Sequence, residues 1–297
     1  MSDTAYDTRP GDGAIQGRSL WQDAWRRLLA NRAAVVAGVL LALIGIACVV
    51  GPWLTPHEID EIDWANIGSP PSIEDGFLFG TDNNGRDLLT RTLHGGRVSL
   101  MIGIVATFVS LVIGVAYGAT SGYLGGRVDN AMMRLVDVLY SLPFMFLVIL
   151  LIVVFGRNYI LMFIAVGAVE WLDMARIVRG QTLSLKRREF IEAARACGVG
   201  TPAIIRRHIV PNTLGPVIVY MTLTVPKVIL LESFLSFLGL GVQEPMTSWG
   251  VLIKEGADSL ESAPWLLVFP AVFLATTLFC LNFIGDGLRD ALDPKDR

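Results

Sequence analysis

Apolar and polar residues separate along this chain into long blocks instead of alternating within short ones. Residues 33–53 contain no charged side chain. At about 1.5 Å per residue, a helix of that length crosses the roughly 30 Å hydrocarbon core of a bilayer. The same pattern predicts five further spans, at residues 98–123, 132–155, 159–176, 214–240 and 264–284. We therefore predict an all-α integral membrane protein with six transmembrane helices.

Polar blocks divide the rest of the chain. Residues 1–32 form a polar tail whose last part is either a short helix at the membrane surface or a solvated lead-in to the first span. Within an acidic segment at 54–97, Asp82 or Asn83 is expected to cap a helix that ends at Gly95-Gly96. A five-helix core is predicted at 98–284, with a polar loop at 181–213, and a second polar tail at 285–297.

The polar loop at 181–213 has the pattern of two short helices. Glu192, Ala193 and Ala194 favour helix, and Gly198 stands where a helix that ends in the left-handed conformation requires glycine. The second helix is expected to have Thr201 as its N-cap, Pro202 at its first position and Pro211 at its end. From this pattern alone, the segment is most simply an ordinary connection between two spans.

Composition and charge indicate where these blocks lie. Of the 297 residues, 53% are hydrophobic and 17% are charged, whereas soluble proteins have about 25% charged residues. Cytoplasmic loops of membrane proteins carry an excess of Lys and Arg. With both termini and the polar loop inside, the Lys and Arg residues left outside are Arg86, Arg91, Arg97, Arg157 and Lys254. This asymmetry predicts that both termini and the polar loop are inside and the acidic segment is outside.

The sequence contains no arrangement typical of an active site. Its three histidines and three cysteines are scattered, without the spacing of catalytic or metal-binding sets. It has no basic patch interleaved with aromatic residues, so we expect no nucleic-acid partner. No Gly-Lys pair occurs, which rules out a P-loop. We predict a non-catalytic protein with no metal or cofactor of its own; if ATP drives it, partner subunits must bind the ATP and Mg²⁺.

Charged residues within predicted spans are costly and suggest function. Lys227 and Glu232 are candidates for a translocation path; they stand five residues apart, which does not place them on one helix face. Other intramembrane acids are expected to form structural ion pairs with arginines close in sequence. These pairs are Glu170 and Asp173 with Arg176 or Arg179, and Asp137 with Arg134.

The polar loop also carries a resemblance to a known family. Glu192-Ala193-Ala194, with Gly198 four residues later and Pro211 thirteen beyond that, resembles the Glu-Ala-Ala loop of permease subunits in ATP-driven (ABC) importers. The loop departs from that pattern at His208 and Val210, where the family commonly has Ile and Leu. Segments at 80–87, 171–180, 232–241 and 282–294 extend the resemblance to peptide-type permeases, and together they resemble the C-type subunit of bacterial oligopeptide permeases.

The resemblance implies a type I ABC importer permease fold in the bacterial cytoplasmic (inner) membrane. It implies that Glu192, Ala193, Ala194, Gly198 and Pro211 couple the permease to separate ATPases. The implied partners are a homologous second permease, two ATP-binding subunits and an extracytoplasmic peptide-binding protein. The resemblance implies oligopeptides as the cargo. Dipeptides, nickel complexes and glutathione are the alternatives, because related permeases carry them. An ion-coupled secondary transporter is the alternative from another class, although no inverted repeat is visible.

Overall fold

The computed structural model of the protein describes residues 20–143, 146, 149–150, 153–154 and 159–292. Of the predicted segments, the tail before residue 20, part of the third span and the last five residues lie outside the described residues. The described chain is helical, with two isolated β-bridges, Ser72 to Phe77 and Thr81 to Asp87, and no strand. The helices are α1 (Leu20–Ala30), α2 (Arg32–Leu54), α3 (Leu88–Leu124), α4 (Gly126–Ser141), α5 (Tyr159–Leu185), α6 (Glu189–Ala196), α7 (Thr201–Ile204), α8 (Val210–Phe237), α9 (Trp249–Asp258) and α10 (Trp265–Leu292).

Several of these helices are long and apolar enough to cross a membrane. Within the described chain, four stretches qualify by length and composition: Arg32–Leu54, Leu88–Leu124, Thr201–Phe237 and Trp265–Leu292. The third is one continuous run, because a π-helical turn at Ile205–Ile209 joins α7 to α8. The all-α membrane class is therefore confirmed, while the count of six spans and their orientation stay predictions.

Small residues bring α3 and α5 into close contact. A Cβ placed on Gly114 would lie 2.5 Å from Met174 Cβ, and one placed on Gly122 would lie 2.8 Å from Thr182 Cβ. Both distances are below van der Waals contact, so only glycine permits the two backbones to approach this far. The two helices pack along much of their length, and α3 also contacts α2, α4, α8, α9 and α10.

The remaining long helices pack on α3 and on one another. The N-terminal helix α1 and the long helix α2 both lie against α10, which also contacts α8 and α9. Trp249, the first residue of α9, is fully buried, and its indole N–H donates to Thr92 O at 3.0 Å. It belongs to a cluster that joins α2, α3, α8 and α10 through Ile44, Leu93, Ile229 and Leu274. α9 therefore closes one end of the bundle.

The start of α3 differs from the prediction. Its N-cap is Asp87, whose carboxylate accepts from Thr90 N at 2.8 Å, and the helix continues through Gly95 and Gly96 to Leu124. A Cβ on Gly96 would lie 2.5 Å from Trp249 Cζ2. The glycine pair thus serves close packing against α9 and does not end a helix. The predicted cap at Asp82 or Asn83 and the predicted stop at Gly95-Gly96 are wrong.

The acidic segment is fastened to the bundle by ion pairs. Arg86 Nε lies 2.7 Å from Asp82 Oδ2, and Arg86 Nη1 lies 3.0 Å from Glu244 Oε1. Arg91 also pairs with Asp82, and its two terminal nitrogens reach Glu255 in α9 at 2.8 and 3.0 Å. Arg91 is only 2% exposed. This charge cluster ties the segment before α3 to α9 and to the loop that precedes it.

Candidate functional site

The polar loop folds as a hairpin that is anchored by three buried isoleucines. We call residues 186–211 the polar hairpin. Ile191 on α6, Ile204 on α7 and Ile209 on the π-helical turn are at most 1% exposed. They join Tyr123 of α3 and Val217 of α8 in one apolar cluster. The apolar face of each short helix is therefore buried against the bundle, and the opposite face is left on the surface.

The residues that resemble the coupling motif lie mainly on that surface. Glu192, Ala193, Gly198 and Pro211 are exposed, and Ala194 is partly buried. Gly198 has a φ of +80° and follows α6 in a Schellman turn, in which Gly198 N donates to Arg195 O at 2.9 Å and Val199 N donates to Ala194 O at 3.1 Å. The predicted left-handed glycine is thus confirmed, and it turns the chain sharply from α6 towards α7.

The second helix of the hairpin differs from the prediction at both ends. Gly200 is the N-cap of α7, with Thr201 and Pro202 as its first two residues. Pro211 does not end a helix, because it is the second residue of α8, which runs on to Phe237. In the preceding π-helical turn, Val210 N donates to Ile205 O, five residues back. This wider hydrogen-bond spacing accommodates Pro211, which has no N–H to donate.

Arg195 of α6 connects the hairpin to the end of α3, and Arg179 of α5 binds the neighbouring helix α4. Arg195 Nε donates to the Tyr123 hydroxyl at 3.0 Å, and its guanidinium lies 4.9 Å from the centre of that ring. The Arg179 guanidinium donates two hydrogen bonds of 2.6 Å to the carboxylate of Asp129 in α4. These bonds, together with one from Ser121, hold the pKa of the Asp129 carboxyl below its usual value. The hairpin therefore contacts α3 through Arg195, while Asp129 holds α4 to α5 and to α3.

The outer surface of the hairpin is strongly basic. Residues 186–211 contain six Lys and Arg residues but only two glutamates. Across the described part of the chain, no salt bridge involves the exposed residues Arg187, Arg188, Arg206 and Arg207. Exposed cations beside a helix that ends in a tight turn form a surface suited to a partner with acidic groups.

A second feature is a groove of about 850 Å³ beside α4, α5 and α8. Lys227 projects into it and is 54% exposed; its Nζ lies 3.0 Å from Glu170 Oε2 and 3.4 Å from Asp173 Oδ2. The Tyr140 hydroxyl donates to Asp173 Oδ1 at 2.8 Å. The apolar lining includes Leu139, Leu172, Leu230, Leu231 and Phe234.

The ion pairs in this region are not the predicted ones. Glu170 and Asp173 pair with Lys227 of α8 instead of an arginine nearby on α5, and Asp137 pairs with Arg176 at 2.7 Å instead of Arg134. Helix packing brings these partners together across two different helices, and no spacing within one helix predicts that. The sequence alone predicts a local structural role for Glu170 and Asp173 and does not single out Tyr140.

Glu232 occupies a different place from Lys227. Its side chain is fully buried, accepting from Ser236 Oγ at 2.6 Å and from Ser99 Oγ at 3.1 Å. Ser99 Oγ also accepts from Trp249 N, so the carboxylate sits at the junction of α3, α8 and α9. Glu232 is not among the described residues that line the groove. Its place in a translocation path stays a prediction.

Comparison with known proteins identifies the family. A family model described as the inner membrane component of binding-protein-dependent transport systems matches residues 110–297. The chain belongs to this family of ABC importer permeases. A second model, described as the N-terminal transmembrane domain of oligopeptide transport permease C, matches residues 19–71 of the permease. The resemblance drawn from the Glu-Ala-Ala motif is therefore confirmed, and both the polar hairpin and the groove lie within the first matched range.

Individual relatives extend the match to nearly the whole permease. It is 62% identical to the oligopeptide transport system permease protein OppC of Escherichia coli K12, over 95% of this chain and 94% of that one. It is 59% identical to the OppC protein of Haemophilus influenzae, over 95% and 91% of the two chains. A chain from inward-facing conformations of the MetNI methionine ABC transporter has a TM-score of 0.55 at 20% identity, covering 68% of this chain and 96% of that one. That likeness concerns the fold alone, and it confirms the type I importer permease fold.

Proposed function

We propose that this permease forms half of the translocation path for oligopeptides in an ATP-driven importer of the bacterial inner membrane. The oligopeptide cargo is supported by the relatives that share about three fifths of its sequence, whose names describe oligopeptide transport. In this proposal the chain catalyses no reaction and holds no cofactor. Partner ATP-binding subunits bind the ATP and Mg²⁺ and hydrolyse the ATP.

One observation carries the coupling part of this proposal. The Glu-Ala-Ala helix α6 is anchored from below by Ile191, while Glu192 and Ala193 face outward beside a basic surface. Because one face of α6 is packed on the bundle and the other is exposed, displacement of a partner bound to the exposed face would displace the bundle as well. Arg195 and Tyr123 supply a direct contact from α6 to α3. Glu192, Ala193, Ala194, Gly198 and Pro211 are thus proposed to form the coupling surface.

The charge distribution supports an orientation for the assembly. The hairpin and both chain ends carry most of the Lys and Arg residues, so they are proposed to lie in the cytoplasm, where two ATP-binding subunits reach the hairpin. The acidic segment then lies outside, on the side from which an extracytoplasmic peptide-binding protein delivers cargo. A homologous second permease completes the path across the bilayer.

Alternating access is the proposed mechanism. Closure of the two ATP-binding subunits on ATP moves the hairpin, and the long helices then open outward to accept peptide. Release of phosphate after hydrolysis resets the bundle inward. Lys227, which projects into the groove, and Glu232, at the junction of α3, α8 and α9, are proposed to contribute to the path and its movement.

Replacement of Gly198 tests the coupling role. Gly198→Val places a β-branched residue at a φ of +80°, which costs roughly 1–2 kcal/mol and distorts the turn after α6. We expect normal membrane insertion and assembly. If the distorted turn weakens the coupled contact by about 1.4 kcal/mol, peptide uptake by the reconstituted importer should fall about tenfold. ATP hydrolysis measured in the same vesicles should no longer follow peptide uptake.

Gly200 provides a matched control for this variant. It is also exposed and stands two residues away, but its φ of −67° suits any residue, and a Cβ there meets nothing within 4 Å. Gly200→Val should therefore retain most of the uptake. Normal uptake by Gly198→Val would contradict the assignment of Gly198 to coupling.

The cargo is tested separately with the wild-type importer. Labelled peptides of three to five residues should be taken up in an ATP-dependent manner and should compete with one another. Stronger uptake of dipeptides, glutathione or nickel complexes would assign the permease to another branch of the family. Uptake that survives ATP depletion but not loss of the proton gradient would instead indicate an ion-coupled secondary transporter.

A further inference from the structure

The groove beside α4, α5 and α8 combines an apolar wall with one compact set of charges. Among its described lining residues, the charged ones are Glu170, Asp173 and Lys227. They form two ion pairs that share the Lys227 ammonium, which we call the charged triad. A volume of about 850 Å³ is within the range of sites that enclose small organic ligands.

The charged triad carries an excess of negative charge. Two carboxylates face a single ammonium group, and its contacts are unequal, at 3.0 Å to Glu170 and 3.4 Å to Asp173. The Glu170 side chain is 4% exposed, whereas the Asp173 side chain is 27% exposed. The Tyr140 hydroxyl is a neutral donor to Asp173 and adds no positive charge. Asp173 is therefore the less neutralised of the two acids and the more accessible one.

Neighbouring charges do not remove this excess. Arg176, one turn along α5 from Asp173, is already paired with Asp137 at 2.7 Å, and its guanidinium stacks 4.3 Å from the centre of the Tyr140 ring. That pair is neutral as a whole. A positively charged ligand that enters the groove thus meets Asp173, a carboxylate that shares its Lys227 ion pair with Glu170.

The cargo proposed above brings such a charge. A peptide has an α-ammonium group at one end, and transfer of an ammonium ion into a low-dielectric region is strongly unfavourable unless an opposite charge accompanies it. A path for peptides consequently needs an acidic partner where water is scarce. In this half of the path, the accessible carboxylate in an apolar groove meets that need, and the apolar wall suits the peptide side chains.

We propose that Asp173, supported by Glu170 and Lys227, binds the primary ammonium group of a peptide in transit through the groove. This inference rests on the proposed peptide transport. Lys227 Nζ lies closer to Glu170 Oε2, at 3.0 Å, than to Asp173 Oδ2, at 3.4 Å, so a ligand ammonium would share Asp173 Oδ2 with the longer of these two contacts. The ammonium is that of the peptide's N-terminus or of a lysine side chain, and the apolar groove holds the adjoining residues.

A cysteine-protection assay tests this site without the binding protein. Leu230 lines the groove and is exposed, so Leu230→Cys supplies a reporter thiol. Cys48 and Cys280 are buried, and the exposed Cys197 is replaced by Ser. With the complete importer in detergent, millimolar alanine tripeptide should slow maleimide labelling of the reporter about tenfold, whereas N-acetylated alanine tripeptide should have little effect. An N-acetylated tripeptide that contains lysine distinguishes a side-chain ammonium from an N-terminal one.

Variants of two aspartates then separate binding from structure. Asp173→Asn should abolish protection by the free tripeptide. Asp137→Asn makes the same change at a 65% exposed residue of the adjacent ion pair and should retain protection. Each variant is also assayed for peptide uptake, where Asp173→Asn is expected to lose about tenfold and Asp137→Asn much less.

Several results would overturn the proposal. Equal protection by free and acetylated peptides would show that no ammonium group is recognised. An unreactive Leu230→Cys in the complete importer would show that another subunit covers the groove. If the wild-type importer takes up peptides but gives no protection, only this inference fails; if it takes up no peptide at all, the proposed function fails first.

Discussion

The arginines near the two ends of α3 differ in burial and in pairing. At its N-terminal end, Arg86 and Arg91 are buried and paired within the chain, to Asp82, Glu244 and Glu255. At its C-terminal end, roughly 50 Å away, the polar hairpin leaves Arg187, Arg188, Arg206 and Arg207 exposed and outside the described salt bridges. One end is internally neutralised and the other presents unmatched positive charge.

This difference separates stability from recognition. A buried arginine with two carboxylate partners fixes the segment before α3, since removing one member of such a set leaves the other charges unpaired. An exposed arginine contributes little to stability but attracts an acidic partner over a distance set by ionic strength. The same residue type therefore serves the fold at one end and an assembly at the other.

The largest effect is expected at the buried end. Arg91→Met leaves Asp82 and Glu255 without their shared partner and should lower the free energy of unfolding by about 3–5 kcal/mol. Thermal unfolding of the purified importer, and the amount of permease recovered from membranes, measure the loss. Glu244→Gln removes a 64% exposed member of the same cluster and should cost less than about 1 kcal/mol. Similar losses of unfolding free energy for the two variants would show that the buried arginine does not hold this end of α3 in place.

Replacing an arginine by methionine at the C-terminal end of α3 should leave the stability of the fold almost unchanged. Arg206→Met changes an exposed residue, so the free energy of unfolding should shift by less than about 0.5 kcal/mol. The ATP-binding subunits should nevertheless bind the permease several-fold more weakly, and wild-type binding should weaken with added salt while the variant responds less. Co-purification at two salt concentrations measures both. An Arg206 variant as unstable as the Arg91 variant would show that the hairpin charges serve the fold.

How far the sequence predicts these features depends on how local their causes are. Long apolar blocks predicted the four helical stretches that are long and apolar enough to cross a membrane, because hydropathy is a property of each segment alone. The left-handed turn at Gly198 was predictable for the same reason. Local signals failed where packing supplied a competing reason: Gly95-Gly96 receive Trp249 of α9, and the π-helical turn carries the chain past Pro211.

Charge pairing was the least predictable feature. Lys227 meets Glu170 across 57 residues of sequence, and Arg91 meets Glu255 across 164. Spacing rules for one helix extend only three or four residues, so they cannot predict a partner on another helix; Glu170 and Asp173 were instead assigned to arginines close in sequence. The exposed residues of the coupling motif were found by resemblance, since their role concerns a partner that exerts no force on the isolated fold.

A smaller effect on stability than that of Arg91→Met is expected for the Asp129–Arg179 pair. Arg179 is an arginine that is neutralised within the chain near the C-terminal end of α3, where the hairpin arginines are exposed. Its hydrogen bonds hold the pKa of the Asp129 carboxyl below the value of about 3.9 that an unfolded chain gives. The folded state therefore binds this proton less readily than the unfolded state. The stabilisation is complete above about pH 4 and is lost as the pH falls through the lowered pKa.

Asp129→Asn isolates this contribution from the other acids. At pH 7 the variant should be less stable than the wild type by about 1–2 kcal/mol, and the difference should shrink as the pH is lowered below about 4. Unfolding of both proteins across that range measures the difference, in which the titration of the acidic segment cancels. A difference that stayed constant down to pH 3 would show that Asp129 acts through packing and not through its charge. Arg179 would then not be stabilised by an ion pair, and among the arginines near the two ends of α3 such stabilisation would be confined to the N-terminal end.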